Sequence, residues 1–141
     1  METYKGECFC GTIKMEVSGE AEYMGICHCY SCRSWAGAPV NAFTLWKKEA
    51  VRVTFGAEHL GMFQKTPRSQ RQYCKKCGGH LMTNHPAMGI VDVFSATLPT
   101  LKFKPICHVN YGETVLRIKD GLPKYKDFPS EFDGTGETVS E

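Results

Sequence analysis

The chain reads as a single mostly-β domain, and three observations lead there. Short stretches alternate apolar and polar residues, residues 12–17 and 49–55 most clearly, and alternation at period two marks a half-buried strand. Glycine and proline, 14 and 7 of 141 residues, punctuate these stretches as turns between short strands do. No segment carries the apolar stripe at period 3.6 that a long helix needs, and there is no internal repeat or low-complexity tract.

In chain order, residues 3–18 are expected to be extended. Residues 22–26 form a second strand that delivers the chain into Cys27. Residues 33–37 read as a short helical turn stopped by Gly37. Residues 40–46 are apolar and β-prone, 49–55 alternate, and 60–63 suit a short strand. Residues 64–70 are polar and contain Pro67, which predicts a loop. A strand then enters Cys74. Residues 90–96 are strongly apolar, and 106–110 and 114–118 predict two more strands before Gly121-Leu122-Pro123 breaks the pattern. Beyond Phe128 the Pro, Ser, Gly and Glu content predicts a loose acidic tail over 129–141, leaving 1–128 as the domain.

Apolar residues make up 42% of the chain and net charge is +2, with pI about 8.1. That supports a real core and lacks the strongly basic footprint of a nucleic-acid binder. The tail carries Glu131, Asp133, Glu137 and Glu141 with no Lys or Arg, so the rest stands at +6. Such a body either favours a small anionic substrate or is a solvated mixed surface. The first residues lack the apolar core of a signal peptide, and no apolar run approaches the roughly 20 residues of a membrane span. A cytoplasmic protein, monomer or homodimer, with no membrane and no nucleic-acid partner is the expectation. In a reducing compartment its eight cysteines point to metal ligation or catalysis over disulfides.

Two cysteine groups carry the chemistry. Cys8-x-Cys10 and Cys74-x-x-Cys77, separated by 63 residues, each sit beside glycine in a knuckle-like context. Two thiolates from each turn complete a tetrahedron, so Cys8, Cys10, Cys74 and Cys77 are read as a structural zinc site stapling distant segments. The alternative is four buried thiols acting as small hydrophobes. The second group packs Cys27, Cys29 and Cys32 into six residues. Three ligands leave a four-coordinate zinc one open position, the mark of a working site. A redox dithiol at Cys29-x-x-Cys32 and a closed site stay open as alternatives. A closed site needs a fourth ligand, for which His28, His80, His85, Cys107 and His108 are candidates. Zinc with three thiolates is a weak Lewis acid for water, but it lowers the pKa of a thiol bound at the open position. A thiolate so presented is a nucleophile for small electrophiles, aldehydes above all.

The motifs Gly6-x-Cys8-x-Cys10-Gly11, Cys27-His28-Cys29-x-x-Cys32 and Tyr73-Cys74-x-x-Cys77-Gly78 resemble those of the glutathione-dependent formaldehyde-activating enzyme family, also called the centromere-protein-V family, over roughly residues 4–125. Residues 96–99 (Ala-Thr-Leu-Pro) and Pro105-Ile106-Cys107-His108 are similar to two looser family segments. The resemblance implies a zinc-stapled antiparallel β-sheet of the Mss4-like type with short helical turns. It implies two Zn2+ per chain: one structural, one catalytic or glutathione-exchangeable on Cys27, Cys29 and Cys32. The implied activity is condensation of glutathione, the small-molecule thiol, with formaldehyde to S-(hydroxymethyl)glutathione, a carbon–sulfur lyase class. The chain departs from the family pattern at Pro99, where aspartate is usual, and after the histidine segment, where Tyr111 to Leu116 replaces a frequent tryptophan. Arg33 is the candidate for a glutathione carboxylate, and Trp35, Phe43 and Phe94 are candidates for an aromatic wall. A non-catalytic glutathione or zinc carrier, or a zinc-stapled interaction module, are the competing readings.

Overall fold

A computed structural model describes all residues, 1–141. It is mostly β, with ten strands, one α-helix and five single 3-10 turns. The elements are β1 (Thr3–Glu7), β2 (Lys14–Ser18), β3 (Tyr23–Cys27), α1 (Tyr30–Ala36), β4 (Asn41–Lys47), β5 (Val51–Phe55), β6 (Leu60–Thr66), β7 (Ser69–Cys74), β8 (His80–His85), β9 (Ile90–Phe94) and β10 (His108–Val109). No helix is long and apolar enough to cross a membrane. The chain divides into two compact units, Met1–Glu22 with Thr44–Phe103, and Tyr23–Phe43 with Lys104–Glu141.

In the first unit β1, β2 and β5 form an antiparallel sheet, with Gly6 opposite Met15 and Met15 opposite Val53. β6 to β9 form an antiparallel meander. The alternation in β2 puts Met15 and Val17 inward, where they join Ile13, Trp46, Leu81, Val93 and Leu98 in one core. Burying Trp46 requires a partner for its indole N–H. Nε1 donates to Thr44 Oγ1 (2.8 Å), which donates to the Val93 carbonyl (2.6 Å). Cys8 and Cys74 belong to this core, so the first thiol cluster is anchored in packed apolar surface.

In the second unit β10 runs parallel to β3, with His108 opposite Ile26 and Val109 opposite Cys27, so the sheet structure is mixed rather than purely antiparallel. Gly25 of β3 lies so close to the Phe43 ring that an added Cβ would stand 2.6 Å from Cζ. α1 ends at Gly37, whose φ of 63° is the left-handed conformation glycine tolerates.

Several element boundaries differ from the sequence reading. Residues 64–70 are no loop: β6 continues to Thr66 and β7 resumes at Ser69, with Pro67, which lacks an N–H, confined to the turn. β8 has no counterpart in the reading, because Leu81, Met82 and Thr83 are buried in succession and alternation is lost. Residues 114–118 do not pair as a strand; Thr114 Oγ1 bonds both the amide and the carbonyl of Leu116, folding the segment on itself. The 106–110 strand shrinks to two residues as Asn110 turns left-handed at φ 54°. Residues 129–141 bond back onto their own unit, Tyr125 bridging Thr138 and Val139 N donating to the Lys124 carbonyl at 2.8 Å.

Candidate metal centres

The first cluster lies in the first unit. The turn after β1 supplies Cys8 and Cys10, the end of β7 supplies Cys74, and the turn that leads to β8 supplies Cys77. The four Sγ atoms all lie within 4.8 Å of one another. Cys8 and Cys10 are 3.7 Å apart and Cys10 and Cys74 are 3.9 Å apart. Tetrahedral Zn–S bonds of about 2.3 Å place sulfurs about 3.8 Å from one another, so the four thiols fit a closed site as they stand. Backbone amides point at the sulfurs: Ile13 N at Cys8 (3.2 Å), Lys76 N at Cys74 (3.4 Å) and Gly79 N at Cys77 (3.3 Å). Such donors stabilise thiolate over thiol. Cys10 is exposed and sits 3.1 Å from Thr12 Oγ1. That hydrogen bond, with a second to the Thr12 backbone, brings its pKa down to about 6.

The second cluster lies in the second unit. β3 ends on Cys27, Cys29 caps α1, and Cys32 sits in its first turn. Cys29 Sγ accepts from Cys32 N at 3.3 Å, so the cap that starts the helix also holds the Cys29 sulfur in place. The three Sγ atoms lie within 4.8 Å of one another and no fourth residue joins them. Hydrogen bonds with Cys29 and Cys32, and burial, hold the Cys27 thiol well above its usual pKa. A cation there reverses that balance, since a coordinated thiol is deprotonated outright. Asn110 Nδ2 donates to Cys27 Sγ at 3.5 Å. Sequence reading missed Asn110; its one signal is an asparagine in an otherwise apolar β-prone run, a residue type that tolerates the left-handed conformation it adopts.

The candidate fourth ligands are engaged elsewhere. His28 is fully buried, its Nε2 2.8 Å from His108 Nδ1 and its Nδ1 2.7 Å from Thr114 Oγ1. His108 Nε2 reaches Asp120 Oδ2 at 2.7 Å. Cys107 Sγ meets the Tyr23 hydroxyl at 3.4 Å. His85 Nδ1 lies 3.2 Å from the Arg68 carbonyl, and the His80 ring faces Phe94 at 6.2 Å. Arg33, the candidate carboxylate clamp, braces the backbone: Nε donates to His28 O (2.9 Å) and Nη2 to Glu113 O (3.1 Å). Phe43 is buried against Gly25, Trp35 is half-buried on α1, and Phe94 is half-buried in the first unit.

Comparison with known proteins supplies the relatives. The model of the family described as glutathione-dependent formaldehyde-activating enzyme matches residues 3–113, which contain both clusters. An uncharacterized lyase of Schizosaccharomyces pombe is 32% identical over 78 residues, 55% of each chain. A Pyrenophora teres f. teres protein, provisionally named a glutathione-dependent formaldehyde-activating enzyme, is 32% identical over 98 residues, 65% of this chain and 52% of that one. The chain thus spans about half the length of these curated relatives. A crystal structure of a Rhodobacter sphaeroides protein superposes with a TM-score of 0.56 at 26% identity, covering 70% of this chain and 90% of the other.

Proposed function

This chain belongs to the glutathione-dependent formaldehyde-activating enzyme family, and from that premise we propose that it adds a glutathione thiol to formaldehyde. The observation that carries the reading is the set of three sulfurs, Cys27, Cys29 and Cys32, gathered with no fourth protein donor among them. A zinc ion held there supplies one exchangeable position and acidifies a thiol placed in it. In the reaction the S–H bond of glutathione breaks and its sulfur bonds the carbonyl carbon. The π pair moves to oxygen, and a proton completes the hydroxymethyl group. The reverse direction makes the enzyme a carbon–sulfur lyase.

This chain's residues divide the remaining tasks. Cys27, Cys29 and Cys32 hold the ion. Asn110, through its amide on Cys27, shares the negative charge of the thiolates. Arg33 spends two donors on the carbonyls of His28 and Glu113, and its Nη1 is the group proposed for a glutathione carboxylate. Cys8, Cys10, Cys74 and Cys77 take the structural zinc. Calorimetric titration of glutathione into zinc-loaded protein is the test, beside the Cys29→Ser variant. The reading requires binding by the first and at least a tenfold loss in the second; equal binding removes the cluster from the mechanism. An adduct-formation rate no faster than the spontaneous reaction would make the protein a thiol carrier instead.

A further inference from the structure

The buried polar chain behind the second cluster has no task in that chemistry. His28 stands between two ligand cysteines in sequence, yet its side chain is fully buried and bonded at both ring nitrogens. The far end fixes the direction of one of these bonds. The Asp120 carboxylate only accepts, so His108 Nε2 carries a proton. His28 Nε2 and His108 Nδ1 share a hydrogen bond of 2.8 Å, and Thr114 Oγ1, which gives its one proton to the Leu116 carbonyl, lies 2.7 Å from His28 Nδ1. The Leu116 amide donates to that same hydroxyl at 3.1 Å. Tyr111 closes the wall, edge-on to His28 at 4.8 Å and to His108 at 5.7 Å.

Asp120 is held in turn by Lys124, whose side chain is fully buried. Lys124 Nζ also donates to the Leu122 carbonyl (2.9 Å) and to Glu141 Oε2 (3.0 Å). Asp120, Lys124 and Glu141 all lie beyond residue 113, where the family match ends. A ring fixed at both nitrogens fixes its own torsions, and with them the backbone of the residues on either side, Cys27 and Cys29.

We propose that His108 and Asp120 are positioning residues for the second cluster: they clamp the His28 ring, and so preset the Cys27 and Cys29 sulfurs to receive an ion. The C-terminal segment, through Lys124 and Glu141, extends the clamp. The inference rests on the reading of this cluster as a metal site. Outer groups that orient a metal's ligands are worth about 10- to 100-fold in affinity.

Cobalt(II) replaces zinc as the probe. Chelator competition reads the affinity of each cluster, and the visible ligand-field bands read its geometry. His108→Phe is expected to weaken the second cluster by about 10- to 100-fold and shift its bands, with the first cluster unchanged. His108→Asn, whose amide overlays Nδ1 and still meets His28, is expected to recover most of that loss. Unchanged affinity and bands in His108→Phe, or equal weakening of both clusters, overturns the inference. Should His108→Phe fail to fold, Asp120→Asn decides: a loss of about 10-fold at the second cluster alone supports the clamp, and no loss overturns it. Wild-type protein that takes up one ion per chain overturns the metal reading and the clamp together. Two ions with indifferent variants overturns the clamp only.

Discussion

Cys10 and Cys27 sit at opposite ends of thiol acidity, and each carries a prediction. Cys10 is exposed and its hydrogen bond with Thr12 brings its pKa to about 6. The Cys27 thiol is driven up by its bonds with Cys29 and Cys32 and by burial. The thiolate is the reactive form, so in metal-free protein at pH 7 iodoacetamide should label Cys10 first and Cys27 last. Lowering the pH below 6 should slow Cys10, and zinc should protect both; peptide mapping by mass spectrometry reads all three. Asn110 separates backbone from side chain. Asn110→Gly removes the amide on Cys27 but keeps the left-handed turn, whereas Asn110→Ala also strains it by about 1–2 kcal/mol. Chemical denaturation should therefore place the alanine variant below the glycine variant by that amount.

The element that delivers the second cluster is β3, and its register against Phe43 depends on Gly25. An added methyl would stand 2.6 Å from Phe43 Cζ and 3.1 Å from the Cys107 carbonyl. Gly25→Ala should cost about 1–3 kcal/mol through overpacking, visible as a lower urea midpoint. This constraint could not be read from the sequence, since the contact joins residues 18 apart in the chain. What was legible was local. Alternation at 12–17 and 49–55 located most of β2 and all of β5, and the spacing of the seven cysteines grouped them as the structure does. What was hidden depended on neighbours. β8 is buried along successive residues, so its period is erased. Thr114 folds its segment through a hydroxyl that sequence cannot aim. His28 and His108, 80 residues apart, meet only because β10 aligns on β3.

Each of the two units holds one cluster, so the molecule should respond to metal removal in two steps. Stripping the first cluster frees the β1–β2 turn from the β7–β8 turn, and a site that staples distant segments contributes its binding energy to folding. Chelation of wild-type protein should lower its melting temperature markedly, while Cys29→Ser, retaining the first cluster, should melt near wild type. Acidity acts through the clamp. Burial pushes the Asp120 carboxyl up, but the hydrogen bonds from Lys124 and His108 outweigh it and hold the group below the usual range. A folded pKa below the unfolded one means its contribution is present above about pH 4 and is lost as pH falls below that. Asp120→Asn should therefore be less stable than wild type at pH 7 and lose less stability between pH 4 and 2, as followed by circular dichroism. The central claim is that Cys27, Cys29 and Cys32 hold an ion with one place left for a visiting thiol. Zinc X-ray absorption with and without glutathione tests it most directly. The account predicts a rise from about 3.5 to about 4 sulfurs per zinc, averaged over the two sites. An unchanged sulfur count with glutathione, or four sulfurs before it is added, would contradict it.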